Sequence, residues 1–188
     1  MRRGFTLIEI AIAVAVALVL LASVYAVTSE ATDTAGVGTS VAVLESQASR
    51  ALDRIATELT GAGLSTVEPE GVQGEPTVIF RKSRGAEGGE IEWGPRQSFE
   101  LRDGGIVWIR DVDAESPRAV VLTGGVRALA EGESANGADD NGNGLVDEPG
   151  LSFELSGRTL TIRLTLERAD RVGGVLTRTM TTSVKLRN

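Results

Sequence analysis

Gly4-Phe5-Thr6-Leu7-Ile8-Glu9 stands directly behind Arg2 and Arg3 and opens an apolar run that carries no charge from Ile10 to Val27. An α-helix crosses the hydrocarbon core of a bilayer with roughly 20 apolar residues, and Phe5 to Val27 reaches that length with one interruption, Glu9. A carboxylate at membrane depth is costly, so an acid there marks a functional position. Arg2 and Arg3 precede the run, and the positive-inside bias then keeps the amino terminus cytoplasmic and exports the remainder. A cleaved secretory signal has a shorter core, of about 7 to 15 apolar residues, before a small-residue cut site. This run is too long for that, although Ala22-Ser23-Val24-Tyr25-Ala26 loosely imitates such a site.

Beyond the run, 188 residues with no second apolar stretch leave room for one exported domain of ordinary size. The chain has no cysteine, which excludes a disulfide framework, a thiol nucleophile and a lipid anchor on cysteine. It also has no histidine, which removes the commonest general base, most zinc sites and Ser/His/Asp catalysis. The composition therefore argues against an enzyme. Taking Arg2 and Arg3 from 19 basic residues and Glu9 from 26 acidic ones leaves the exported part with 17 against 25. Such a surface does not favour phosphate, and no basic cluster suggests nucleic acid.

Between Ser29 and Gly61 the apolar residues Val37, Val41, Leu44, Ala48, Leu52, Ile55 and Leu59 recur at steps of three or four. This spacing predicts an amphipathic helix with one buried stripe, continuing the membrane helix. Arg50, Asp53, Arg54 and Glu58 lie largely off the stripe, with Arg54 and Glu58 in helical reach as a solvated pair. Gly36 and Gly38 predict a local bend or melt, each weakening the helix by about 1 kcal/mol relative to Ala. Gly61 and Gly63 are expected to end it as left-handed caps.

From Thr77 the period changes to two. Strands are predicted at 77–80, 90–93, 98–101, 106–109, 119–122, 151–155, 159–166 and 175–186, separated by Gly, Asp and Pro clusters. Asp103-Gly104-Gly105 and Ser156-Gly157 sit between alternating runs and read as hairpin turns. Ile162, Leu164 and Leu166 must share one face, and the Val37 to Leu59 stripe is the natural cover for an antiparallel sheet with one apolar side. The fold class is α+β: residues 5–27 form a membrane helix, 28–63 its amphipathic continuation, and 64–188 a β-rich domain.

One loop carries chemistry of its own. In Asp139-Asp140-Asn141-Gly142-Asn143-Gly144-Leu145-Val146-Asp147-Glu148, oxygen side chains alternate at Asp139, Asn141 and Asn143 before a glycine. That is the first half of a calcium loop of the D-x-[DN]-x-[DN]-G type, where Leu145 would offer its backbone carbonyl. The twelfth position is Gly150 rather than a bidentate Glu, so Asp147 or Glu148 would complete the shell. Four acids in ten residues repel one another, and a hard divalent cation relieves that. Ca2+ is the expected ion, with a dissociation constant on the order of 10⁻⁴ to 10⁻³ M. A solvated Gly/Asn/Asp turn is the plain alternative.

The string Gly4 to Glu9 resembles the processing signal of type IV pilins and of the pseudopilins of type II secretion, in which a short basic leader ends in Gly before Phe-Thr-Leu-Ile-Glu. The resemblance implies that residues 1–4 are a leader removed by prepilin peptidase between Gly4 and Phe5. It further implies N-methylation of Phe5 and a role for Glu9 in filament assembly. A free ammonium at Phe5 and the Glu9 carboxylate of a neighbour are each expensive alone in lipid, and pairing them fixes the register between subunits. Less specifically, residues 50–63 and the final Ser183-Val184-Lys185-Leu186-Arg187-Asn188 look like minor pilins and pseudopilins of the PilW and GspJ kind. Those are low-copy subunits near the filament tip that help start assembly. The implied fold is a long amino-terminal helix on an antiparallel sheet. The implied partners are other pilin or pseudopilin subunits, prepilin peptidase and inner-membrane lipid. The implied location is the bacterial inner membrane, single-pass, with the carboxyl-terminal domain periplasmic.

Competing functions have weaker support. A membrane-anchored periplasmic module that binds calcium or a substrate without assembling would need an exposed apolar or aromatic patch. The sequence offers little beyond Trp93 and Trp108, which are expected in the core. A hydrolase would need a carboxylate pair such as Asp111 and Asp113 in a cleft, and their Asp-Val-Asp-Ala-Glu setting reads as a solvated turn.

Overall fold

The computed structural model describes residues 6–170 and 173–187, without the side chain of Asp33. The chain divides into two compact units, Met1–Ser40 and Val41–Asn188. A single helix, α1, covers Leu7–Leu59 and contributes to both. It runs unbroken through Gly36 and Gly38, where a bend or melt was expected. Neither glycine is demanded by packing, since a Cβ at either would meet nothing within 4 Å. Two weak residues lower helix stability without stopping propagation, because elongation from formed turns is far easier than nucleation.

Within Val41–Asn188 the expected stripe is buried at Leu44, Ala48, Leu52, Ile55 and Leu59, together with Ala51. The helix end corrects the sequence reading. Gly61 and Gly63 are not left-handed: Gly63 has φ −84°, and neither is among the glycines of positive φ. Close approach is what requires them. A Cβ on Gly63 would lie 2.1 Å from the Trp93 ring, and one on Gly61 would lie 3.1 Å from Lys82 Cε. The turn is pinned by Arg187, just past the last strand, where Leu64 N–H donates to Arg187 O (2.8 Å) and Arg187 N–H to Ala62 O (3.0 Å).

The strands form two antiparallel four-stranded sheets where one was expected. In chain order they are β1 (Gln73–Glu75), β2 (Thr77–Glu87), β3 (Glu90–Arg102), β4 (Gly105–Arg110), β5 (Arg118–Gly124), β6 (Leu151–Ser156), β7 (Thr159–Ala169) and β8 (Val175–Lys185). One sheet has the order β2-β3-β4-β5, the other β1-β6-β7-β8. The runs at 90–93 and 98–101 are a single strand. Pairing slips at Gly94-Pro95, between Arg81↔Arg96 and Ser83↔Trp93, and a bulge is where a strand tolerates a proline without N–H. Both expected hairpins are present as two-residue turns, Asp103-Gly104 with φ +51° and +68°, and Gly157-Arg158 with φ +60° at the glycine.

One core joins the helix stripe to both sheets. Val78, Phe80, Phe99, Ile106 and Trp108 face it from the first sheet, and Phe153, Leu160, Ile162, Leu164 and Leu166 from the second. Phe80, Phe99 and Trp108 stack in series at centroid spacings of 5.5 and 5.9 Å. Glu58 is buried rather than solvated, and it bonds Arg54 and Lys82 of β2 at 2.8 Å each. Gln47 reaches the end of β5 through Thr123 Oγ1 at 2.7 Å.

Candidate functional site

Two places carry the residues singled out by sequence. Gly4 and Phe5 lie outside the described residues. Glu9 sits in the first turn of α1, where Thr6 N–H and Oγ1 both donate to its Oε2, at 2.8 and 2.9 Å, and Thr6 Oγ1 accepts from Glu9 N–H at 3.3 Å. This reciprocal arrangement is a capping box, Thr-x-x-Glu, which satisfies amide groups the helix start would leave unpaired. The signal was present in the sequence and went unread because the acid had a membrane rationale of its own. Both bonds from Thr6 use one carboxylate oxygen, Oε2.

From Leu7 to Ala35 every described side chain is exposed, among them Leu7, Ile8, Leu18, Val19, Leu20, Leu21 and Tyr25 at more than 60%. A helix that is apolar all round belongs inside something, a bilayer or other helices. By length and composition, α1 contains a stretch that can cross a membrane.

The second place is the connection between β5 and β6. Its base is fastened to β7: Arg127 N–H donates to Thr165 O (3.0 Å) and Thr165 N–H to Gly150 O (2.6 Å). Gly150 must be glycine, since a Cβ would come within 2.1 Å of Arg127 O. Above this base the 139–145 turn has the alternation read from sequence. Asp139 accepts from the amides of Gly142 (2.7 Å), Asn143 (3.2 Å) and Gly144 (2.8 Å). Asn141 Oδ1 accepts from Asn143 N–H, and Asn143 Oδ1 from Leu145 N–H. The Leu145 side chain lies against Gly74 of β1.

The remaining acids divide between two tasks. Asp147 accepts from the amides of Asn136 (3.0 Å) and Gly137 (2.9 Å), and Asp140 from Ser134 N–H and the Asn136 side chain, so both hold the neighbouring 134–137 turn. Glu148 instead turns inward and is 2% exposed, with Oε1 accepting from Asn143 Nδ2 at 2.8 Å. Sequence reasoning missed its companion, Glu133, which is 4% exposed and accepts from Asn141 N–H at 3.1 Å. Oε2 of each glutamate is buried without a hydrogen-bond partner. Among the described residues no three acidic side chains converge as a ready-made metal cage.

The competing sites find little. Asp111 is exposed in a turn with φ +56°. Asp113 is bonded to Arg96 (3.0 Å), whose guanidinium is held above its usual value by Glu68 first and Asp113 second. Trp108 is buried, and Trp93 is half-buried against Gly63.

Residues 1–25 match the family model described as the prokaryotic N-terminal methylation motif. The amino terminus thus carries a methylation motif of the prokaryotic kind, over its basic leader and the first part of the apolar run. No curated protein and no solved structure matches the chain.

Proposed function

We propose that this chain is a minor pilin or pseudopilin, a structural subunit of a type IV pilus or of a type II secretion pseudopilus, acting where the filament starts or at its tip. The observation that carries the reading is the string Phe5 to Glu9 at the head of a helix whose apolar side chains are exposed all round from Leu7 to Ala35. Prepilin peptidase removes residues 1–4, Phe5 is N-methylated, and the chain is single-pass in the inner membrane with its carboxyl-terminal domain periplasmic. Assembly then exchanges lipid around the helix for neighbouring helices. Glu9 receives the ammonium of a neighbour's Phe5, and one carboxylate oxygen beyond its capping bonds is there to do so.

The reading is tested by the intact mass of the protein from its own membranes, with and without active peptidase. Loss of residues 1–4 together with one added methyl, only when the peptidase is active, is the expected result. An uncut amino terminus in the presence of active peptidase overturns the proposal.

A further inference from the structure

The two buried glutamates under the 139–145 turn are an unusual expense for a domain of this size. Buried charges are as a rule paired, hydrogen-bonded or bound to metal. Glu133 and Glu148 each have one satisfied oxygen and one buried oxygen without a partner. No ion pair reaches either of them among the described residues, although eight other pairs form elsewhere.

Their placement is built by the fold. Ala130 N–H donates to Glu148 O (2.9 Å) and Glu133 N–H to Ala130 O (3.1 Å), which holds the backbone of both acids beside Ala130. Their bonded oxygens hold Asn141 and Asn143, two residues apart on the turn. Both carboxylates therefore lie against the segment that carries Asn141 and Asn143. Gly132 lets the chain pass closely there, its absent Cβ lying 3.1 Å from Asn141 Cβ.

We propose that Glu133 and Glu148 are the charged ligands of a calcium site that locks the 131–148 loop onto the second sheet, with oxygens of Asn141 and Asn143 completing the shell. The donor set is all oxygen, in a chain with no Cys and no His, which selects a hard cation over zinc or copper. An irregular loop suits Ca2+, which accepts six to eight ligands in adaptable geometry, better than Mg2+, which keeps its waters and demands an octahedron. Leu145 against Gly74, and Thr165 bonded to Gly150, link this loop to β1 and β7, so the metal would rigidify the outer side of the second sheet. The assignment differs from the sequence expectation in its acids. Asp147 is committed to the 134–137 turn and Asp139 to three amides of its own turn, and Glu133, six residues ahead of Asp139, takes part. The site stands independently of the filament reading.

The test is thermal unfolding of the full-length chain in detergent after chelator treatment, with CaCl2 or MgCl2 titrated to about 100 mM, a hundredfold excess over the weakest expected dissociation constant. A midpoint rise of about 5 to 10 °C at a hundredfold excess over the dissociation constant is expected with calcium, and little with magnesium. In Glu133→Gln and Glu148→Gln the calcium response should be lost. A wild-type midpoint that does not respond to calcium overturns the site, as does a response in both variants equal to that of the wild type. Should the variants not fold, limited proteolysis of the wild type decides. Protection of the 134–147 segment by calcium is expected, and protection confined to other segments overturns the proposal.

Discussion

Replacing Gly63 with Ala isolates the contact that closes the end of α1. An ideal Cβ at this position lies 2.1 Å from Trp93 Cη2, 2.6 Å from Cζ3 and 2.9 Å from Cζ2. Carbon atoms in contact prefer roughly 3.5 to 4.0 Å, so about 1.5 Å of relief is needed. The backbone cannot supply it cheaply, because Gly63 N–H is bonded to Arg81 O and the residues on either side are bonded to Arg187. The indole must move instead, into the cavity of about 450 Å³ that it lines with Arg84 and Arg187. Overpacking of this kind costs about 1 to 3 kcal/mol, which for a domain of this size lowers the unfolding midpoint by about 2 to 12 °C. The φ of −84° is open to Ala, so the whole loss is steric. A double-mutant cycle with Trp93→Leu, followed by circular dichroism in detergent, therefore separates the close-approach reading from a left-handed cap. The Trp93→Leu background should tolerate Gly63→Ala and give a coupling of about 1 kcal/mol or more, whereas additivity within about 0.5 kcal/mol would refute the argument.

Two further expectations concern α1. Thr6→Ala removes the cap and costs local helix stability of about 1 kcal/mol while leaving the Glu9 charge, so the variant should still enter filaments. Glu9→Gln keeps a capping-competent side chain and should be cut after Gly4 yet fail to assemble, as scored by immunoblot of sheared filaments. Equal incorporation of the two would show that the charge is not what assembly reads. Changing Gly36 and Gly38 together to Ala should raise the helical signal in detergent, each contributing about 0.5 to 1 kcal/mol, since nothing lies within 4 Å of either added methyl. An unchanged or lower signal would mean the helix is held there by something other than its own backbone.

What was legible in the sequence was local. The helix stripe from Leu44 to Leu59, the turns at Asp103-Gly104 and Gly157, and the clean alternation of Ile162, Leu164 and Leu166 all depend on residues within a few positions of one another. The second sheet was not legible, because β1 is three residues long, contains Gly74, and takes its identity only from pairing with β6 some eighty residues later. Nor was the union of the two runs in β3, where Gly94-Pro95 reads as a breaker and the bulge that accommodates it is a property of the pair of strands. At the loop, the alternation from Asp139 to Asn143 was visible and the turn has it. Glu133 was not, because a buried acid in an irregular segment has no periodicity to betray it. The one hint was the glycine beside it, Gly132, placed where the chain must run close under Asn141.

The filament reading has a geometric consequence in the first helix. Successive residues turn by about 100°, so positions four apart stay within about 40° and positions two apart fall on nearly opposite sides. Ala11 and Ala15 therefore lie on one side of α1, and Ala13 and Ala17 on the other, below Glu9. In lipid, where water no longer drives helices together, association depends on small residues that let backbones approach. A dimer needs one such seam. Two seams on opposite sides allow each helix to pack on a neighbour in front and a neighbour behind, and a heterologous contact repeated in this way grows into a helical array instead of closing. Glu9 lies on the Ala13/Ala17 side, so on the filament reading its charge would belong to one seam alone and would give the array a direction. Ala13→Leu and Ala15→Leu should accordingly impair incorporation from opposite sides, and only the first should also disturb the pairing of Glu9.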